Sequence, residues 1–134
     1  MAKPEDELLA FFDNVRNVGY HGTETEFEAL LDNNVALFRL DQNSQKAGRD
    51  RVVRGKHKVA QSITVELRQD NPVFAPRAKP QQGVWVIGNA GQVSGVADWK
   101  DTDGDNKDGP ILYSFMFSKS SGGWLVVCMW GSHA

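Results

Sequence analysis

Leu8, Leu9, Phe11, Phe12, Val15 and Val18 recur at helical spacing near the start of the chain. Residues three and four apart share one face of a helix, so this run predicts an amphipathic helix. Pro4 followed by Glu5, Asp6 and Glu7 marks its start, because proline suits a first turn and acids there complement the helix dipole. Gly19 ends it. A short second helix is predicted from the capping-box spacing of Thr23 and Glu26, with Phe27, Leu30 and Leu31 as its apolar face and Asp32-Asn33-Asn34 as its stop. Val35–Leu40 reads as a strand and 41–54 as a polar loop. Gly55 precedes a third helix over about 56–68, with Val59, Ala60, Ile63 and Leu67 on one side. Pro72, Pro76 and Pro80 make 70–82 a loop or a broken edge strand. The period then switches to two, and strands are predicted at 83–88, 92–100, 110–119 and 123–132. Gly88–Gly91 and Ser120–Gly123 are the hairpin turns between them.

Helices segregated from an antiparallel meander define an α+β fold. The expected architecture is a single domain over 1–134, with the helices packed on the concave face of a curved antiparallel sheet. Composition agrees: 134 residues, 40% hydrophobic and 24% charged, suit one globular domain and argue against disorder, collagen and coiled coil. Cys128 is the only cysteine, so no intrachain disulfide forms. Its apolar neighbours Val126, Val127 and Met129 suggest a buried thiol rather than a nucleophile. The acidic N-terminus and the lack of an apolar run near ~20 residues leave a cytoplasmic protein without membrane association as the expectation.

The net charge of −2 hides a split. Residues 1–34 carry −6, residues 35–80 carry +6 and residues 81–134 carry −2. The basic segment is densest at Lys46, Arg49, Arg51, Arg54, Lys56 and Lys58. It is a solvated run, a partner for the acidic helices, or an anion site, and the sequence leaves the three open. Residues 41–58 hold no aromatic residue, which argues against nucleic acid.

The order of elements, with the segments FEALLDNNVALF, RGKHKVAQSI, GQVSGVADWKD and GGWLVVCMWGS, resembles the nuclear transport factor 2-like superfamily. That superfamily includes SnoaL-like cyclases, ketosteroid isomerases and scytalone dehydratase. The resemblance implies a cone with an internal pocket between sheet and helices, and a homodimer formed through the sheet. It carries over no catalytic set. The position of the ketosteroid isomerase general base falls at Phe38, with Asp41 three residues later; the second acid falls near Tyr113 and the helix tyrosine near Val15. His21, His57 and His133 fall at a turn, a helix start and the chain end, not where a scytalone dehydratase-type pocket pair would sit.

Strand alternation places Ile111, Tyr113, Phe115 and Phe117 on one face, and Trp124, Val126, Cys128 and Trp130 on one face of the last strand. Such faces are ordinarily core. The resemblance adds a pocket reading, in which Tyr113, Phe115, Cys128 and Trp130 line a cavity with Trp99 or Trp85, closed by Phe11, Phe12 and Phe38. Asp98 faces outward if Ala97 and Trp99 face inward, unless a bulge at Gly95 flips it. Asp98, Asp41 and Tyr113 are thus the candidate acid–base groups. The acidic run Asp101–Gly109 lacks the glycine and terminal glutamate of a calcium loop and reads as a hairpin loop. No cofactor or metal motif is present. The leading expectation is binding of a small hydrophobic or amphipathic molecule. The alternatives are a cofactor-free lyase, isomerase or hydrolase on the same pocket, and an oligomerising module whose outer face carries Leu112, Met116, Leu125, Val127 and Met129.

Overall fold

A computed structural model describes residues 3–39, 52–70, 72–101 and 109–133. Helix α1 spans Pro4–His21 and buries Leu8, Phe12 and Val15, one stripe at four- and three-residue steps. Three residues after Gly19, Gly22 closes it by donating its N–H to the Val18 carbonyl at 2.7 Å. Helix α2, Glu24–Glu28, carries the capping box: the Glu26 N–H donates to Thr23 Oγ1 and the Thr23 N–H to Glu26 Oε1, each at 3.0 Å. Strand β1 runs Leu31–Arg39. It thus begins four residues before the predicted strand and takes Leu31 out of the second helix. The Asp32–Asn34 step is an irregularity inside β1, where the Asn34 N–H bonds Asp32 Oδ2 at 2.9 Å.

Part of the predicted 41–54 loop is strand: β2, Val52–Arg54, pairs antiparallel with β1. Gly55, at φ +88°, turns the chain into α3, Lys56–Gln61. The helix then widens into a π turn over Ser62–Glu66 and tightens over Leu67–Asp70. The proline-rich stretch forms an edge strand, β3, Pro72–Pro76. Its two prolines stand at the strand's ends, where a missing N–H costs least. The meander follows as β4 Gln82–Ile87, β5 Ala90–Asp101, β6 Gly109–Ser120 and β7 Gly123–His133.

The sheet order is β2-β1-β7-β6-β5-β3, and β4 also pairs with β5. The helices pack on this curved sheet, which is mixed because β1 runs parallel to β7. Both β3 and β4 lie on one edge of β5: β4 covers its first half, to Gly95, and β3 its second, from Ala97. At the handover the Val96 N–H donates to the Gln81 carbonyl at 3.0 Å, and the Arg77 N–H to the Val96 carbonyl at 2.9 Å. Between α1 and the sheet lies a core of Leu8, Phe12, Val35, Val59, Val93 and Val126, all fully buried. Among the described residues, no helix is long and apolar enough to cross a membrane.

Candidate functional site

A cavity of about 210 Å³ opens between α1, the α3 segment and the inner face of the sheet. Cross-strand register explains its back wall. Val93, Phe115, Met129 and Leu37 pair across four strands and share the inner face. The next inner row is Gln82, Gly95, Tyr113 and Gly131. Two glycines flank Tyr113, so the nearest side chain in its row is Gln82, whose Nε2 donates to the tyrosine hydroxyl at 3.2 Å. Pro76, Ala97 and Ile111 form the following row, and Phe74 and Trp99 the one beyond it, on β3 and β5. Tyr113 stacks on Phe12 with centroids 5.8 Å apart, and Phe74 meets it edge-on at 5.3 Å. The π turn supplies Ile63, and Leu67 follows one turn on. A π turn inserts a residue and re-aims the side chains around it, a device frequent at functional sites.

Five of the nine residues expected to line or close the cavity border it: Tyr113, Phe115, Trp99, Phe38 and Trp130; Phe11 instead packs edge-on against Phe117. Register puts Phe38 and Trp130 in the row of Ser114, whose side chains face away from Phe115. Phe12 lies behind the wall, fully buried under Tyr113. Trp85 lies on the outer face, 52% exposed, with its ring over Gly83. Cys128 is also on the outer face, part-buried, and burial pushes its thiol pKa up, which disfavours the thiolate. The cause of the Cys128 inversion is a bulge. Phe117 pairs with Val126 but Met116 pairs with Cys128, leaving Val127 as the extra residue. Alternation therefore flips at Val127: Trp124 and Val126 point inward, and then Met129 does, instead of joining the outer face.

Asp98 faces outward. The β5–β6 register runs unbroken through Gly95, so Ala97 is buried and Asp98 is exposed. Its carboxylate accepts from Arg77 Nη2 at 2.7 Å, which holds its pKa below the usual range. Asp41 and most of the acidic run after Asp101 lie outside the described residues, as do Lys46, Arg49 and Arg51. Arg54 and Lys58 are solvent-exposed, while His57 lies 3.7 and 3.5 Å from Glu24 and Glu28.

The periodicity argument did not identify the polar part of the wall. Arg16 and Tyr20 project from α1 beside the cavity, and Arg68 from the turn after α3. Phe12, Arg16 and Tyr20 are four residues apart, so a cation and a phenol on a core-facing stripe were a usable signal. The Arg68 Nε–H and Nη2–H groups donate to the Gly19, Val18 and Gly22 carbonyls at 2.8, 2.9 and 2.6 Å, capping the end of α1. The Tyr20 hydroxyl accepts from the Phe74 N–H at 2.5 Å and donates to its carbonyl at 3.3 Å, tying β3 to α1. Burial raises the pKa of Tyr20 and of Tyr113. Among the described residues the wall holds no carboxylate and no histidine.

The layout of this chain recurs in solved structures. The CaMKII hub of S. rosetta superposes with a TM-score of 0.75 at 16% identity, over 100% of this chain and 99% of that one. A candidate dehydratase of the NTF2-like family from Streptomyces avermitilis gives 0.72 at 13% identity, over 97% and 95%. An NTF2-like protein from Cytophaga hutchinsonii gives 0.71 at 13% identity, over 99% and 100%. This is the nuclear transport factor 2-like fold. No protein-family model matches the chain, and no curated protein sequence does. Identities this low speak to fold alone.

Proposed function

We propose that the protein binds a small, mostly apolar molecule in the cavity between α1, α3 and the sheet. The observation that carries this reading is an open, aromatic-walled space of about 210 Å³ beside the buried core. Drug-sized ligands occupy pockets of roughly 300–1,000 Å³, so the ligand is smaller, of one or two rings. Tyr113 offers a hydroxyl proton, because its bond with Gln82 uses an acceptor position. The acid–base alternative has little support. Asp98 points away, and Tyr113 is the only one of the three candidate groups at the described wall.

Methyl-detected titration with a panel of one- and two-ring compounds tests the proposal. Shifts are expected at Leu37, Ile63 and Met129, and Ile63→Trp, which fills the space, should abolish them. Tyr113→Phe keeps the ring stack and is expected to weaken binding about fivefold, for roughly 1 kcal/mol. Shifts scattered over the surface, or binding that survives Ile63→Trp, would count against a cavity site.

A second reading rests on the outer face of the sheet. Trp85, Leu112 and Met116 are each about half exposed there, on β4 and β6, either side of β5. Solved structures sharing the fold include a CaMKII hub and a kinase association domain. We infer that this face joins a second copy of the chain, which leaves the cavity on the other side open.

A further inference from the structure

The cavity is apolar with a cationic end. Its described wall carries two guanidinium groups and no acid. The two arginines differ in what they have left to give. Arg68 commits its Nε and one Nη to three backbone carbonyls at 2.6 to 2.9 Å. Arg16 holds two long bonds only, Nη1 to Asp13 Oδ1 at 3.3 Å and Nη2 to the Phe74 carbonyl at 3.4 Å. Asp13 is 59% exposed, so that pair is screened and weak. The Nε–H of Arg16 is buried with no partner among the described residues, and so is the Nε1–H of Trp99, another wall residue. Buried donors without acceptors are costly and uncommon in native proteins. The guanidinium carbon lies 5.8 Å from the ring centroids of both Phe12 and Phe74, which fixes it against the wall. Its charge also acts on the Tyr20 and Tyr113 hydroxyls, so cation, phenols and Gln82 gather at one end.

We propose that the ligand is an amphipathic carboxylate, its ring or chain in the apolar part and its carboxylate against Arg16. A planar carboxylate matches the fork of a guanidinium, and its two oxygens can take the remaining Nη1–H and Nη2–H of Arg16 together. The Tyr113 hydroxyl donates a third bond. A neutral hydrocarbon would leave the Arg16 donors unmet, and a cation would meet a like charge. This rests on the pocket reading above and adds the chemistry of the ligand's polar end.

Calorimetric titration with cinnamate, cinnamamide and ethylbenzene separates the two claims. Cinnamate is expected to bind at least about tenfold tighter than cinnamamide, the scale of one charge-assisted bond. Arg16→Gln should bring cinnamate to the affinity of cinnamamide, removing the preference for the acid. Arg16→Lys should keep part of the preference, and thermal melts of both variants establish that they are folded. Equal affinities for acid and amide in the unaltered protein, or a preference that survives Arg16→Gln, overturns the carboxylate proposal. Binding of ethylbenzene alone overturns it while sparing the pocket. Binding of none of the three overturns both.

Discussion

Tyr20 and Tyr113 are the only two tyrosines, and both sit at the cavity. Burial is the first cause of the raised pKa in each, with bonds to the Phe74 backbone and to Gln82 opposing it. The folded state therefore holds these protons more tightly than the unfolded chain, whose phenols titrate near about 10. The resulting stabilisation is fully present below about 10 and is lost as pH rises through the folded values, because the unfolded state there binds fewer protons. Ultraviolet titration should show less than half of the phenolate at about pH 10 while the fold persists, with the midpoint displaced upward. Half-titration of either tyrosine at about 10 in the folded protein would contradict the burial described. The same residues show what periodicity hides. Arg16 and Tyr20 are polar, so a search for apolar positions passes over them, although their four-residue step from Phe12 puts them on the working face.

Among the elements, β5 depends on a single position. A Cβ on Gly95 would stand 2.1 Å from the carbonyl oxygen of Gln81, a backbone atom that cannot swing aside. Gly95 lies where the partner of β5 changes from β4 to β3, and the close approach lets the chain cross there. Gly95→Ala is expected to cost about 3 kcal/mol in urea unfolding, at the upper end for overpacking, since the strain falls on backbone. It should also loosen Gln82 from Tyr113, whereas unchanged stability would mean that the crossing tolerates a side chain. The element types were largely legible, because a helical stripe and strict alternation are different periods. What was not legible has a local cause in each case. The prolines left loop and edge strand both open, and the edge strand forms with Pro72 and Pro76 at its two ends. The Val127 bulge exchanged Cys128 for Met129 at the wall, and no composition signal marks it. The π turn after α3 looks in sequence like more helix, since Ile63 and Leu67 keep the four-residue step.

At the scale of the whole molecule the sheet has two faces with different fates. The inner face is covered by helices apart from the cavity. The outer face carries Trp85, Met116 and Cys128 in one row, Leu125 and Ile87, the latter 81% exposed, in the row on one side, and Leu112 two rows away on the other. Contiguous apolar surface of this kind marks a binding face, whereas single exposed residues do not. The alternation that predicted inward Tyr113 and Phe115 also predicted outward Leu112 and Met116, so this face was readable from β6 alone. A partner covering it must bury roughly 800 Å² per copy to form a stable pair. Sedimentation equilibrium is expected to show self-association of the unaltered chain. Met116→Lys combined with Leu112→Lys should abolish it without lowering the melting temperature of the isolated domain, because both side chains are already half in water. Cavity binding should persist in the double variant, since neither residue borders the cavity. A chain that stays monomeric at high concentration would remove the assembly reading, and association that survives both lysines would move the interface elsewhere. Loss of ligand binding together with association would instead join the two faces, making the cavity depend on the second copy.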